Sequence, residues 1–379
     1  MKKVKKSLET RCAQALGWIE KETSSLVPSI YPSTTFIRNS DLSYNDGRAY
    51  TRADNPTYDQ ASALIAELEG GKSAQLFSSG MAAVVAVFQT LKAGDHLVLP
   101  QNVYCGTRTW VEKYASSWGI EYDIIENNDY KILEKIVKKN NTKLVWIETP
   151  SNPELRITDI GRVVDIAKSV DALVVADNTL ATPVLTKPIE YGVDITLHSA
   201  TKYLNGHGDA LIGALVSKDE NNTWQKIKEI AHDGGALPGP VETWLLLRGM
   251  RTLYIRMNKI CKNAEIVANF LNQHPQISKV FFPGLPTSDG YEVATKQMNG
   301  LYGGILSIRV KGGYKKAVEV QAKVNIFKRA TSFGTIESLI EHRASYEGPR
   351  SNIPDDLLRL SIGIENSKDL ISDLKQALE

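Results

Sequence analysis

The sequence predicts an α/β protein whose larger domain is built on a mostly parallel sheet. Between residues 74 and 217, short apolar runs rich in Val, Ile and Leu alternate with polar segments of helical length. The runs are AQLFSS, HLVLP, KLVWIETP, ALVVADN, DITLHSA and ALIGALVS. Strands this short and this apolar are typical of a sheet that is buried on both faces and connected by helices.

A helix is predicted directly before the first of these strands. Ala61, Leu64, Ile65 and Leu68 have the spacing of one apolar helix face, and the pattern ends at the glycine pair 70–71, a common helix terminator. The residues before this helix are expected to form an extended arm. We therefore assign residues 1–56 to an amino-terminal arm and residues 57–240 to the large α/β domain.

The rest of the chain, residues 241–379, is predicted to form a smaller domain. Prolines at positions 238 and 240 precede a long stretch with helical character, which we expect to link the two domains. Apolar runs KVFFPG, GGILSIRV and LLRLSIGIE then indicate a second sheet, and a final helix is predicted over 367–378.

Composition excludes several classes of function. The 379 residues carry a formal net charge of +2, far from the strongly basic character of proteins that bind nucleic acid. The basic start MKKVKK lacks the apolar core of a signal peptide, and no apolar window approaches the ~18 residues needed to cross a bilayer. The three cysteines are far apart, which argues against disulfides. We expect a cytoplasmic protein with neither nucleic acid nor membrane as partner.

Polar residues at strand ends are the first candidates for a site, because ligands of open α/β sheets bind at the carboxyl ends of the strands. Gly80 and Met81 follow one strand and begin an alanine-rich helix, where backbone N–H groups can hold an anion. Asp177, Asn152 and Tyr104 follow other strands. Taken singly, a plain turn explains Gly80 and Met81 equally well, and a helix cap, a turn or core packing is the favoured explanation for Asp177, Asn152 and Tyr104.

Lys202, in the stretch HSATKYLNGHGD, points to a specific chemistry. A lysine at a buried strand end has a lowered pKa and can act as an amine nucleophile that forms a Schiff base. Ser199 and Thr201 could hold a phosphate, and Gly206 and Gly208 let the backbone turn away. Pyridoxal phosphate requires such an amine and such donors, together with a carboxylate for its ring nitrogen and an aromatic side chain.

A metal site is not predicted. His198 and His207 flank the lysine, but no third ligand is apparent, so local packing and hydrogen bonding are the expected roles. Glu337 and His342, in TIESLIEHRAS, match the start of a helix and are expected to cap and pack it.

Six blocks of the sequence resemble a known family. YTRADNPTYDQ, SSGMAA, ETPSNP, ADNTLATP, HSATKYLNGHGD and LLRLSIGIE are similar to the signature blocks of the cystathionine-metabolising, pyridoxal-phosphate-dependent transsulfuration enzymes, in the expected order over nearly the whole chain. The resemblance implies the aspartate-aminotransferase-like fold (fold type I), with an arm, a large cofactor domain and a small carboxyl-terminal domain. It also implies a homotetramer built from two active dimers.

The resemblance further implies a role for each candidate at the cofactor. Lys202 would be the Schiff-base lysine, Asp177 would pair with the pyridinium nitrogen, Tyr104 would stack on the ring, and Asn152 would lie near the ring hydroxyl. The phosphate would be held by Gly80, Met81, Ser199 and Thr201, and by Tyr50 and Arg52 from the arm of the neighbouring subunit.

The expected substrate is a small sulfur amino acid. By the same resemblance, Arg359 would bind its carboxylate, aided by Ser332. Relatives that act at the γ carbon commonly carry a glutamate and an arginine where this chain has Thr331 and Thr109, although the adjacent Arg108 could compensate. Phe333 is more similar to some β-lyases, and Cys105 does not match the active-site cysteine of methionine γ-lyases.

These features favour a carbon–sulfur lyase, cystathionine β-lyase, giving homocysteine, pyruvate and ammonia. Cystathionine γ-synthase and γ-lyase remain alternatives, because the core motifs serve β and γ chemistry alike. An aminotransferase fits the blocks less well. A non-catalytic regulator that senses the cofactor would lack cofactor residues or carry an added DNA-binding segment, and the sequence has neither feature.

Overall fold

The computed structural model describes residues 6–347 and 353–379. Within those ranges the strands form a seven-stranded sheet and a five-stranded sheet. The strands of the larger sheet are β1 (Ser73–Phe77), β2 (His96–Pro100), β3 (Glu121–Ile125), β4 (Thr142–Glu148), β5 (Leu173–Asp177), β6 (Ile195–Ser199) and β7 (Gly213–Ser217).

The larger sheet is mostly parallel, as the sequence predicts. Its spatial order is β1-β7-β6-β5-β4-β2-β3, and β7 runs antiparallel to both of its neighbours. The remaining strands share one direction, so β1, β4, β5 and β6 all end at the same edge. Apolar side chains cover both faces of the sheet. The candidate residues that follow these strands therefore converge on one edge.

The helices are interleaved with the strands. Their bounds are α1 (Leu8–Ala13), α2 (Pro56–Glu69), α3 (Gly80–Phe88), α4 (Cys105–Trp110), α5 (Tyr130–Lys139), α6 (Ile160–Lys168), α7 (Thr182–Leu185), α8 (Asn222–Gly234), α9 (Pro240–Met250), α10 (Leu253–Asn272), α11 (Tyr291–Gln297), α12 (Gly313–Lys323), α13 (Arg343–Glu347) and α14 (Ser367–Leu378). Among the described residues, no helix is long and apolar enough to span a membrane.

Helix α2 shows how local sequence sets an element. The Asn55 side chain caps its first turn, and Gly70 ends it with φ of 74°, a conformation that costs glycine little. The apolar face predicted for this helix is fully buried. Residues before α2 are less uniform than the expected extended arm, because α1 and two short 3-10 turns interrupt them. Much of this segment is apolar and exposed, with Ile37 at 88%.

The smaller sheet consists of β8 (Ile277–Phe281), β9 (Ile305–Val310), β10 (Lys328–Arg329), β11 (Leu339–His342) and β12 (Leu357–Ser361), in the order β10-β11-β12-β9-β8. One face packs against α10, α12 and α14. Along β12, Leu358 and Leu360 point into that core, so the side chain of Arg359 lies on the opposite face. Glu341 of β11 pairs in register with Arg359 and shares that face.

Two sequence-based expectations need correction here. The long helical region is divided into α9 and α10, with the break at residues 251–252. The stretch TIESLIEHRAS does not begin a helix at Glu337; its centre is strand β11, and α13 starts only at Arg343. Its apolar positions, Leu339 and Ile340, pack in the sheet, so pairing with β12 outweighs the capping pattern.

Candidate active site

A cavity with an empty volume of about 980 Å³, open to solvent, lies at the carboxyl edge of the larger sheet. The smaller sheet closes its other side through Arg359 and the loop 331–333. Ten of the residues predicted from the sequence line it: Gly80, Met81, Tyr104, Asn152, Asp177, Ser199, Thr201, Lys202, Ser332 and Arg359. Two large segments distant in sequence thus contribute to one site.

Lys202 lies in the turn that follows β6, with its amine in the cavity. Its Nζ donates a hydrogen bond to Ser332 Oγ over 2.5 Å and lies 5.0 Å from the centre of the Phe333 ring. Burial, and after it the positive charge of Arg359, lower the pKa of Lys202 to about 8. A sizeable fraction of the amine is therefore neutral and nucleophilic near physiological pH.

Ser332 connects the lysine to the arginine. Its backbone has φ of 90°, which side-chain-bearing residues rarely adopt. In this conformation the hydroxyl accepts from Lys202, while the carbonyl accepts from Arg359 Nη2 over 2.7 Å. Ser332 thus has an unfavourable backbone conformation at a position where its hydroxyl and its carbonyl each contact a residue of the site.

Asp177 ends β5, and its carboxylate orientation is fixed. The backbone N–H and the hydroxyl of Thr179 donate to Asp177 Oδ1 over 3.0 Å and 2.5 Å. Burial raises the pKa of Asp177, and the two bonds from Thr179 and the nearby His198 oppose that rise. Sequence reasoning missed Thr179, although a threonine two residues after an aspartate is the spacing of a local side-chain turn.

A buried hydrogen-bond network lies behind Asp177. His198 Nε2 is 2.5 Å from Glu69 Oε1, and Asn178 Nδ2 donates to the same oxygen over 2.8 Å. The expected packing role of His198 agrees with these contacts. His207 bonds through Nδ1 to the carbonyl of Asn205 at 2.8 Å. Among residues 6–347 and 353–379, no group of three or more His, Cys, Asp or Glu side chains is arranged to hold a metal.

The amino terminus of α3 forms one wall of the cavity. Ser79 caps the helix by accepting from the N–H of Ala82 over 3.1 Å. A Cβ added to Gly80 would lie only 2.9 Å from the Cβ of Ser199, so glycine allows the helix end to approach β6 closely. Helix α3 is nine residues long, and its exposed N–H groups and dipole favour an anion at this wall.

Two other predicted residues are held by backbone contacts. The hydroxyl of Thr201 accepts from the N–H of Ile212 over 2.9 Å and donates back to its carbonyl at 3.2 Å. The N–H of Tyr104 donates to Glu148 Oε2 over 2.7 Å, which fixes the start of α4. Burial, and next the neighbouring Cys105, raise the pKa of Tyr104, so its phenol stays protonated at neutral pH.

Arg359 is anchored on three sides. Besides the Ser332 carbonyl, it contacts Glu341 Oε2 through Nη2 at 2.5 Å and Asn152 Oδ1 through Nη1 at 3.3 Å. Only 3% of the surface of Arg359 is exposed to solvent. The fixed guanidinium therefore faces the cavity beside Lys202, in a suitable position for binding a carboxylate.

Three residues of this wall were not predicted from the sequence: Glu341, Arg343 and Tyr346. Arg343 and Tyr346 line the cavity, and Arg343 Nη1 pairs with Glu341 Oε2 at 3.0 Å. They were missed because the stretch was interpreted as a capped helix. The signal for them is the apolar pair Leu339–Ile340 followed by charged residues, which also fits a strand that ends at a site.

Some predicted residues are not in the cavity of this chain. Tyr50 is 49% exposed, and Arg52 donates to the backbone carbonyl of His232. Arg108 bonds to Glu112 at 2.8 Å, and neither Arg108 nor Thr109 belongs to the described lining. Thr331 and Phe333 do line it. The arm residues therefore do not contact the site formed by their own chain.

The chain is similar to characterised enzymes along almost its full length. It is 40% identical to cystathionine gamma-synthase of Mycobacterium tuberculosis over 375 residues, covering 97% of this chain and 96% of that protein. It is also 40% identical to cystathionine beta-lyase of Lactococcus lactis subsp. cremoris over 383 residues, covering 98% and 99% of the two chains. Relatives with different reactions are thus equally similar.

Comparison with solved structures agrees with the sequence similarity to transsulfuration enzymes. The crystal structure of cystathionine gamma synthase from Xanthomonas oryzae pv. oryzae, in complex with aminoacrylate and cysteine, superposes with a TM-score of 0.95 at 36% identity, covering 99% of this chain and 98% of that one. The fold is therefore the aspartate-aminotransferase-like fold type I. Residues 9–379 match the family described as Cys/Met metabolism PLP-dependent enzyme. The chain belongs to this family and is a pyridoxal-phosphate-dependent transsulfuration enzyme.

Proposed function

We propose that the enzyme is a carbon–sulfur lyase of transsulfuration that acts as a cystathionine β-lyase. One observation carries the proposal: an amine with a pKa of about 8, an oriented carboxylate and a buried guanidinium line the same cavity. These are the groups needed to hold an aldehyde cofactor, to stabilise its protonated ring, and to bind the carboxylate of an amino acid.

The residues present fit pyridoxal phosphate. Gly80 has no Cβ, so the amino terminus of α3 comes close to Ser199. The N–H groups of this helix end could therefore bind a phosphate together with Met81, Ser199 and Thr201, which line the same wall. Asp177 would accept from the ring nitrogen, Asn152 would lie near the ring hydroxyl, and Tyr104 would stack on the ring. Lys202 would bind the aldehyde.

The bound cofactor supplies an electron-accepting ring conjugated to the amino acid. Arg359 orients the substrate through its carboxylate, with Ser332 aiding. The Lys202 amine would take the proton from the α carbon of the substrate, and the Asp177 carboxylate would accept a hydrogen bond from the ring nitrogen and so favour its protonated form. The α-carbon electron pair would form a Cα–Cβ double bond while the Cβ–S bond breaks, and the sulfur would leave with the electrons of that bond and take up a proton to give homocysteine. The remaining fragment hydrolyses to pyruvate and ammonia.

Two features favour reaction at the β carbon over reaction at the γ carbon. Thr331, which lines the cavity, is uncharged where γ-specific relatives commonly carry a glutamate. Elimination at the β carbon also needs only one proton removal, whereas chemistry at the γ carbon requires Lys202 to move a β proton as well. Cystathionine γ-synthase is the second candidate, since the cited Xanthomonas structure of that name has a TM-score of 0.95.

Product analysis tests the proposal. The purified enzyme is incubated with L-cystathionine, and the keto acids are separated by chromatography. We expect pyruvate together with homocysteine and ammonia. A predominance of 2-oxobutyrate, or formation of cystathionine from an acylated homoserine and cysteine, would contradict the β-lyase assignment and support the γ alternative.

We further propose that the enzyme works as a homotetramer, a dimer of active dimers, in the cytoplasm. Tyr50 and Arg52 would reach the phosphate bound by the neighbouring subunit. Neither residue lines the cavity of its own chain, and the arm exposes apolar side chains; both observations support this arrangement.

Subunit mixing tests the shared site. Arg52→Ala and Lys202→Ala chains are each expected to have low activity. After random exchange, hybrid dimers carry both lesions in one site and none in the other, so activity should recover to about one quarter of the wild-type value. Tagged chains confirm that hybrids form. Hybrids without recovered activity would show that Arg52 serves its own subunit.

A further inference from the structure

Glu69 is a buried carboxylate that lies behind the cavity wall rather than in its described lining. It is the last residue of α2 and is 0% exposed. Its Oε1 accepts from Asn178 Nδ2 over 2.8 Å and lies 2.5 Å from His198 Nε2, whereas Oε2 has no hydrogen-bond partner among the described residues. Burial of a carboxylate with one unbonded oxygen is costly, and an apolar side chain could serve the fold equally well. A role in the site explains this acid better than a role in stability.

The Glu69 carboxylate joins the ends of two strands that carry site residues. Asn178 directly follows Asp177 of β5, and His198 directly precedes Ser199 of β6. Asp177 and Ser199 line the cavity, so the two residues that alternate with them face α2 behind the sheet. A single acceptor oxygen therefore connects the two strand ends from the side opposite the cavity.

Thr179 makes a matching connection on the cavity side. Its hydroxyl donates to Asp177 Oδ1 over 2.5 Å and accepts from the backbone N–H of Ser199 over 2.8 Å. The turn 177–179 is thus bonded to the end of β6 on both faces, by Thr179 in front and by Glu69 behind. Loss of either connection would free the turn that orients Asp177.

His198 also influences Asp177 through its charge. Burial raises the pKa of Asp177, and the bonds from Thr179 and then the nearby His198 oppose that rise. An ionised carboxylate only accepts hydrogen bonds, so the contact with Glu69 Oε1 holds the imidazole hydrogen on Nε2. Glu69 therefore sets the form of the imidazole that favours an ionised Asp177.

We propose that Glu69 is a positioning residue that acts on the cofactor ring through His198, Asn178 and Asp177. It keeps Asp177 ionised and oriented, and so favours the protonated form of the ring nitrogen. This inference rests on the proposed function, in which Asp177 accepts a hydrogen bond from that nitrogen. A carboxylate that does not line the cavity would thus help to set how strongly the ring accepts electrons.

Nitrogen NMR of the holoenzyme tests the inference without turnover. The probe is pyridoxal phosphate with a ¹⁵N-labelled ring, reconstituted into the enzyme, because the chemical shift of the ring nitrogen reports whether it is protonated. We expect a protonated ring in the wild type. Glu69→Gln keeps the size of the side chain and removes its charge, so the signal should move toward the unprotonated position.

Steady-state kinetics with L-cystathionine give a second measurement on the same variant. In Glu69→Gln, kcat should fall by about tenfold to a hundredfold, the loss typical of a charge-assisted contact. KM should stay within about threefold, because Arg359 and its contacts are unchanged. A role confined to stability would not produce this separation of kcat from KM.

Two further variants isolate the effect. His198→Gln retains an N–H donor toward Glu69 but has no imidazole, so it should move the ring signal in the same direction. Asp373→Asn is the matched control, since Asp373 is a buried carboxylate of α14 that accepts backbone N–H bonds from Asn325 and Ile326 in the smaller domain. It should lower the thermal stability and leave the ring signal and kcat unchanged within about threefold.

The outcomes separate this inference from the proposed function. An unprotonated ring nitrogen in the wild type would overturn the inference even if the variants fail to fold. A ring signal that stays in place in a folded Glu69→Gln holoenzyme would overturn it too. Keto-acid analysis of the wild type tests the proposed function independently, because the ring signal is recorded without substrate and does not depend on which product forms.

Discussion

Lys202→Ala is expected to lower kcat by about a hundredfold to ten-thousandfold, the range typical of losing a group that transfers the proton in the transition state. The amine has a pKa of about 8 and donates to Ser332. Among the described residues, no other lysine lines the cavity, so no other amine can replace it. Pyruvate release from L-cystathionine, followed by a coupled assay of the keto acid, measures the effect.

A matched control distinguishes chemistry from folding. Lys187, paired with Glu190 at 3.4 Å outside the cavity, offers the same substitution away from the site, and Lys187→Ala should retain activity within about twofold. Thermal unfolding of both variants checks their integrity. A folded Lys202→Ala enzyme with more than a tenth of wild-type activity would contradict the role assigned to this lysine.

Arg359→Ala is expected to lower kcat/KM by about tenfold to more than a hundredfold, which corresponds to the ~1.5–3 kcal/mol of a charge-assisted hydrogen bond. The loss should appear mainly as a higher KM, because the contact that we propose between the guanidinium and the substrate carboxylate would be made before and during the reaction. The cofactor should remain bound. Steady-state kinetics with L-cystathionine, together with the cofactor absorbance, provide the measurement.

Removal of Arg359 also changes its neighbours, so the controls matter. The substitution leaves Glu341 with Arg343 as its described partner and removes a charge that lowers the pKa of Lys202. Arg359→Lys retains the charge but not the two-pronged geometry and should recover only part of the loss. Arg309→Ala, which breaks an ion pair with Asp356 on the same sheet, should leave KM unchanged. An unchanged KM in Arg359→Ala would show that the carboxylate binds elsewhere.

Local sequence patterns were sufficient for most of the fold. The predicted core positions of α2 and the final helix over 367–378 are confirmed, because an apolar stripe with capping residues at both ends permits few other structures. The stretch TIESLIEHRAS, which contains β11, was assigned wrongly. The stretch does contain residues that are typical of a helix cap. However, Leu339 and Ile340 pair with β12, whose residues come about twenty positions later in the chain, and a local pattern contains no information on that pairing.

The site was predictable where a residue follows a strand of the larger sheet. Asp177, Ser199 and Lys202 come together because parallel strands end at one edge, which the strand pattern already implies. Arg343 and Tyr346 were not predictable in this way. They reach the cavity because the smaller sheet packs over it, and the local pattern that indicates a strand ending near them does not say which surface that strand faces.

The central claim is that Lys202 carries the pyridoxal phosphate. Reduction of the holoenzyme with borohydride attaches the cofactor permanently to the lysine that binds it, and proteolysis with mass spectrometry then locates the pyridoxyl group. We expect the label on Lys202, in the peptide that contains HSATKYLNGHGD, with unlabelled peptides elsewhere. A pyridoxyl group on any other lysine, or none after reduction of active enzyme, would contradict the assignment of the site.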